Sequence, residues 1–163
     1  MYSSKLKFRL NVAGILQDPA GRILVCERLN NAGAWQFPQG GVDKGETLEI
    51  AVARELEEEI GVAPTQWDFV RQGGPYRYTF ADGKQVRGFD GKDQHFFVLA
   101  YHGEPEAINV NMPNPEFCAY KWILPTEFDL ACVPEMKRSM YKLVFQDLLG
   151  VELSLSPMQA SLA

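Results

Sequence analysis

Short apolar bursts and strict alternation dominate the hydrophobic pattern of this chain, and both read as strands. Phe8 to Leu16 (FRLNVAGIL) and Arg22 to Arg28 (RILVCER) form two of them, joined by an Asp18-Pro19-Ala20-Gly21 turn. Trp35-Gln36-Phe37 predicts a short strand that Pro38-Gln39-Gly40-Gly41 breaks. Asp68 to Gln72, Tyr76 to Phe80, Gln94 to Tyr101 (QHFFVLAY) and Phe117 to Ile123 complete the set. Asp82-Gly83 and Asp90-Gly91 are turn signals, so residues 81–93 read as a flexible excursion. Glu104 to Pro115 reads as a proline-rich loop.

Two stretches break this rhythm. Thr47 to Ile60 lacks Gly and Pro, is rich in Leu, Ala and Glu, and is followed by Gly61, which is placed to end a helix in a left-handed conformation. Leu48, Val52, Leu56 and Ile60 give it one drifting apolar stripe. Pro134 opens a second helix that runs to Leu149 and stops at Gly150. Its apolar stripe is read as Met136, Met140, Leu143 and Val144. Residues 151–163 carry one charge and no clear pattern, and are expected to fray or pack locally. Strands with two well-separated helices predict an α/β fold, a mixed sheet between helical layers. No repeat, linker or low-complexity tract divides the 163 residues, so one domain is expected, with its core at about 8–149.

Composition narrows the class. A hydrophobic content of 46% allows a sizeable core, and no apolar run approaches membrane-span length. Lys5, Lys7 and Arg9 precede an apolar part that is short and contains Asn11, so the N-terminus reads as a strand rather than a targeting segment. A cytoplasmic location is expected, with no membrane partner. The net charge of −5 argues against strong non-specific affinity for nucleic acid, so DNA is not an expected partner. A local basic cluster could still capture an RNA end. Cys26, Cys118 and Cys132 are widely spaced and show no C-x-x-C pair, so they read as small core residues or inert thiols. His95 is placed near any site in this region, whereas His102 has no such claim.

The first helix carries a chemical problem. With Glu55 at zero, Glu58 falls at roughly 300° and Glu59 at roughly 40°, so three carboxylates share one face. Glu59 points between Leu48 and Val52, at the border of the stripe that must face the core, while Glu57, at roughly 200°, points to solvent. An acidic helix more commonly presents a solvated face answered by lysines. Here few lysines stand at i±4, and like charges at i, i+3 and i, i+4 repel. A hard divalent cation would relieve both repulsion and desolvation, and all-oxygen ligation suits Mg²⁺ or Mn²⁺. Arg54 could pair with Glu58 or reach the Gly-rich loop; an orienting salt bridge is the favoured role.

Residues 40–62, GGVDKGETLEIAVARELEEEIGV, resemble a complete Nudix box, G-x5-E-x7-R-E-U-x-E-E-x-G-U, where U is a bulky aliphatic residue. The resemblance extends over about residues 8–149. It implies an α/β/α sandwich with a mixed sheet, and metal-dependent hydrolysis of a nucleoside diphosphate linked to another group. By this likeness Glu55, Glu58 and Glu59 are metal ligands aided by the Gly40 carbonyl, and Glu46 supports Arg54 and the loop. Such chemistry neutralises the pyrophosphate, positions a water and supplies a carboxylate to take its proton.

The flanks narrow the likeness. Trp35-Gln36-Phe37-Pro38-Gln39-Gly40-Gly41 is similar to a segment of bacterial RNA pyrophosphohydrolases and related dinucleoside polyphosphate hydrolases. Gly91 to Phe97 resembles that branch's G-Q-K-Q-x-W/F-F segment but departs at Lys92 and Asp93. Pro115-Glu116-Phe117, followed by Trp122, resembles its P-E-F-x-x-W-R-W stretch, which makes Glu116 a candidate general base or further metal ligand. Arg9, Arg28, Tyr78 and Lys137 match positions that hold phosphates in the branch. Met136 falls where the branch often stacks an aromatic residue on a base, and it is assigned here to the core. Dinucleoside polyphosphates such as diadenosine tetraphosphate are the first substrate reading, because residues 81–93 are short and weakly basic. The alternative is the triphosphorylated 5′ end of RNA. A non-catalytic nucleotide sensor is the remote third, opposed by the intact box.

Overall fold

The computed structural model describes residues 5–155. Seven strands form one mixed sheet: β1 (Phe8–Gln17), β2 (Ile23–Arg28), β3 (Trp35–Gln36), β4 (Gln39–Gly41), β5 (Trp67–Thr79), β6 (Gly91–Tyr101) and β7 (Phe117–Ile123). Two helices, α1 (Leu48–Ile60) and α2 (Glu135–Leu149), cover its two faces. The strand order is β3-β2-β1-β6-β5, with β4 on β1 and β7 on β2. Only β1 and β6 run parallel; the other pairings are antiparallel.

Alternation along β1 builds both cores. Val12 and Leu16 pack with Val52, Leu56 and Ile60 of α1, while Ala13 and Ile15 pack with Tyr141, Val144 and Phe145 of α2. Fully burying each large aliphatic of α1 contributes about 1.5–3 kcal/mol, so the stripe dictates which way the helix faces. Thr47 caps α1 by accepting the Ile50 N–H, and Gly61 closes it at φ 68°. This is the α/β/α sandwich expected from the pattern.

Several boundaries differ from the sequence reading. The two strands expected at 68–72 and 76–80 are one, β5, with register shifts at Phe69/Arg71 and Gly73/Tyr76 where the ladder bulges. Gln39–Gly41 does not end the sheet but pairs with Ala13, Val12 and Asn11 of β1. Residues 91–93 belong to β6, which shortens the excursion.

The stripe of α2 is also corrected. Met136 is 39% exposed and Leu143 is 52% exposed, whereas Met140, Tyr141, Val144, Phe145 and Leu148 are buried. The phase is set by aromatic stacking: Tyr141 lies parallel to Phe37 at 5.8 Å, and Phe145 sits 4.7 Å from Phe128. Taking Met140 as zero, the buried residues reach roughly 140°, and Met136 and Leu143 fall behind them at roughly 300–320°. Leu153 packs into the same core, so residues 151–155 pack rather than fray; residues 156–163 lie outside the described part. Cys26 is buried and Cys132 half-buried, but Cys118 is exposed, with its thiol 3.4 Å from the Glu27 carboxylate. Among the described residues, no helix is long and apolar enough to cross a membrane.

Candidate active site

A cleft of about 790 Å³ opens beside the exposed face of α1. Glu55, Glu58, Glu59, Gly40 and Glu116 line it, and so do Arg28, Lys92 and Lys137. Carboxylates and cations therefore share one cleft, and the α1 carboxylates are its acidic end.

The acidic end depends on glycine. Gly40 lies so close to α1 that a Cβ there would stand 2.1 Å from the Glu55 carboxyl group. Glu55 fills that space and is nearly buried. Its neighbour Glu59 accepts the Gln39 N–H at 3.1 Å, and the two carboxyl groups are close enough to share a proton. Burial, then Glu55 and Glu116, push the Glu59 carboxyl up to about 9. Burial also raises Glu55, against the pull of Arg54. Like charge at hydrogen-bond range disfavours ionising both, which adds to the upward shift of Glu59.

Arg54 makes both contacts that the sequence left open. Its guanidinium grips Glu46 through Nε and Nη2, each at 2.8 Å, and donates to the Gly41 carbonyl at 2.9 Å. It also reaches Glu55 at 2.8 Å, while the contact to Glu58 is a loose 3.4 Å. The Glu46 carboxyl is held at about 2 by Arg54 and by the Asp43 N–H. Arg54 is absent from the cleft lining. Its contacts tie the Gly-rich loop to α1.

Glu116 reaches the site through a bulge. The β2–β7 register shifts between Glu27 and Arg28, and the Leu29 N–H donates to the Glu116 carbonyl at 2.9 Å. This places Arg28 and Glu116 on the rim together. Of the other expected phosphate contacts, Lys137 lines the cleft although it is 8% exposed. It sits at roughly 60° on α2, inside the buried arc, with its ammonium 5.3 Å above the Tyr78 ring. Burial, then Lys92 and Arg28, pull Lys137 down to about 8. Tyr78 is buried beneath it, and Arg9 lies against Gly41; neither lines the cleft. His95 does not line it either: successive β6 residues face opposite sides, and the α2 side belongs to Gln94 and Phe96.

Gln36, Gln39, Lys92, Met112, Pro113 and Asn114 line the cleft but were not singled out as site residues. Strand alternation offered a signal for Lys92; the loop residues offered none. Glu57 is exposed as expected, yet it edges the mouth.

The NUDIX domain model matches residues 7–144. The chain belongs to the Nudix hydrolase family. Its curated relatives include the RNA pyrophosphohydrolase of Erythrobacter litoralis, 37% identical and covering 87% of this chain and 91% of that protein. The RNA pyrophosphohydrolase of Helicobacter pylori strain P12 is also 37% identical, covering 85% and 91%. Among solved structures, the E. coli dihydroneopterin triphosphate pyrophosphohydrolase superposes with a TM-score of 0.64 at 20% identity, covering 90% of this chain and 100% of that one. A C. elegans Ap4A hydrolase gives 0.61 at 17%, covering 88% and 99%. At these identities the structures speak for the fold alone.

Nudix hydrolases generally use divalent metals. The acidic end fits such an ion by its chemistry: every donor is a hard oxygen, and two carboxyls share a cradle that any side chain at position 40 would fill. Among the described residues no three of these groups yet converge tightly enough to hold a metal. Arg54 and the Gln39 N–H each engage one carboxylate oxygen, of Glu55 and Glu59 respectively.

Proposed function

We propose that this Nudix hydrolase removes phosphate from the triphosphorylated 5′ end of RNA by cleaving a pyrophosphate bond. The observation that carries the reading is the mixed lining of one cleft, where Glu55, Glu58, Glu59 and Glu116 are joined by Arg28, Lys92 and Lys137. The RNA pyrophosphohydrolases at 33–37% identity support the RNA end over the dinucleoside polyphosphate placed first from sequence. The basis of that earlier ranking weakens too, because the short excursion is followed by Lys92, which adds charge to the cleft.

In this reading the 163 residues act as one domain, with its core at about 8–149, in the cytoplasm. Mg²⁺ or Mn²⁺ is held by Glu55, Glu58, Glu59 and Glu116 with the Gly40 carbonyl. The ion supplies charge neutralisation on the phosphate and a more acidic bound water. Arg28 and Lys137 hold the phosphates that are not attacked, with Arg9 beside them and Tyr78 beneath Lys137. Arg is suited to forked contacts and Lys to a point charge. Glu116, exposed at the rim, is the carboxylate that accepts the water's proton where it does not itself hold the ion.

The test is a competition of triphosphorylated RNA against diadenosine tetraphosphate with Mg²⁺, scored as kcat/KM. The RNA end is expected to win by at least about tenfold, roughly 1.4 kcal/mol in the transition state. Preference for the dinucleotide would restore the reading taken from sequence.

Stability gives an independent check of the acidic pair. Glu59 keeps its proton up to about 9 in the folded state but loses it in the ordinary carboxyl range when unfolded. The folded protein therefore binds the extra proton between those limits, and metal-free stability falls as pH rises through that window. Lys137 acts with the opposite sign, but only above about 8. Calorimetry without metal is expected to show Tm dropping on the order of 5 °C from pH 5 to pH 8. Added Mg²⁺ should remove most of the drop. A flat metal-free profile would count against the pairing.

A further inference from the structure

Lys92 occupies a position that the phosphate-holding pattern did not assign. The parallel β1–β6 register sets it opposite Arg9, and the antiparallel β5–β6 register sets it opposite Tyr78. Directly paired residues project to the same side of a sheet. Tyr78 packs on the α2 face beneath Lys137, so Arg9, Lys92 and Lys137 gather above one rung. Arg28, Arg87 and Arg9 all act electrostatically on the Lys92 ammonium, and so, with opposite sign, does Glu116.

None of Arg9, Arg28, Lys92 or Lys137 forms an ion pair among the described residues. The arrangement is therefore a concentration of like charge, with Lys137 buried and Arg9, Arg28 and Lys92 half-buried, and an anion would relieve its repulsion. The side chains on either side of Lys92 sharpen the point. Where the resembled segment reads G-Q-K-Q, this chain reads Gly91-Lys92-Asp93-Gln94. The cation has moved one residue along a strand, and one residue is a change of face. Lys92 enters the cleft, while Asp93 points away and is clamped by Arg77 at 2.8 and 2.9 Å.

We infer that Lys92 is a specificity-determining residue that makes the cleft select a chain of three phosphates over a chain of two. A third phosphate adds negative charge, and Lys92 supplies one more half-buried cation to meet it than Arg28 and Lys137 provide alone. One added charge-assisted contact is worth about tenfold in affinity. The biological meaning rests on the pyrophosphohydrolase reading, but the binding preference does not.

Titration calorimetry in metal-free buffer separates the two, with inorganic tripolyphosphate and pyrophosphate as probes. The wild-type protein is expected to bind tripolyphosphate at least about tenfold more tightly than pyrophosphate. Lys92→Gln should lose about tenfold for tripolyphosphate and less than about threefold for pyrophosphate, and Lys92→Arg should retain the preference. Equal losses for both anions, or no loss in Lys92→Gln, would overturn the assignment. In turnover, Lys92→Gln should raise KM for triphosphate-ended RNA more than it lowers kcat, and a loss confined to kcat would also overturn it. Absence of hydrolysis by the wild-type enzyme would sink the functional reading, while the metal-free titrations would still decide the role of Lys92.

Discussion

Glu58→Gln is expected to lower kcat on the order of 10²- to 10⁴-fold, the range for losing a positioned charged group at the reacting centre. The fold should not notice. Glu58 has a side chain 60% exposed, and the single hydrogen bond it makes is the loose 3.4 Å one from Arg54. Nothing in either core touches it, so Tm should stay within about 2 °C, as for surface substitutions generally. Activity loss at constant stability would place Glu58 in the chemistry. Near-wild-type turnover would remove it from the ligand set and leave Glu55, Glu59 and Glu116 to do the work. Glu58 is the informative choice because Glu59 is partly buried, where a substitution alters packing and repulsion as well as ligation.

Gly40→Ala is expected to cost about a hundredfold or more in kcat/KM, together with about 1–3 kcal/mol of stability. The added Cβ would lie 2.1 Å from the Glu55 carboxyl carbon. Either Glu55 swings out or β4 lifts from β1. Glu55 can swing only by giving up the 2.8 Å hydrogen bond from Arg54, which is itself fixed to Glu46 and to the Gly41 carbonyl. Lifting β4 would carry Gln39 away from Glu59, breaking their 3.1 Å hydrogen bond. Both routes displace a carboxylate of the acidic end. Steady-state kinetics and thermal denaturation of the purified variant check this. A variant within about tenfold of wild type would mean that the cradle is softer than its geometry implies.

The sequence carried more of this site than of its surroundings. Glu55, Glu58 and Glu59 were legible because a helix has a fixed angular period, so spacing alone puts them on one face. Gly61 was legible as a stop because left-handed backbone favours glycine. Met136 was misplaced for the complementary reason. Periodicity gives the width of an apolar stripe but not its phase, and the phase of α2 is set by Phe37 and Phe128, which come from elsewhere in the chain. The break at residues 38–41 was misread because a strand as short as β4 exists only through its partner β1.

By itself, then, the sequence determined the local facts: an acidic helix with three carboxylates on one side, strands of alternating polarity, and glycines where the chain must turn or approach. Those follow from backbone periods and steric rules acting over a few residues. Tertiary structure alone decided that Arg9, Lys92 and Tyr78 share a rung, that Lys137 is buried over a tyrosine, and that a bulge at Glu27/Arg28 brings Arg28 and Glu116 to the same rim. Register and packing between distant segments are set by long-range contacts, and the basic lining of the cleft is made of nothing else.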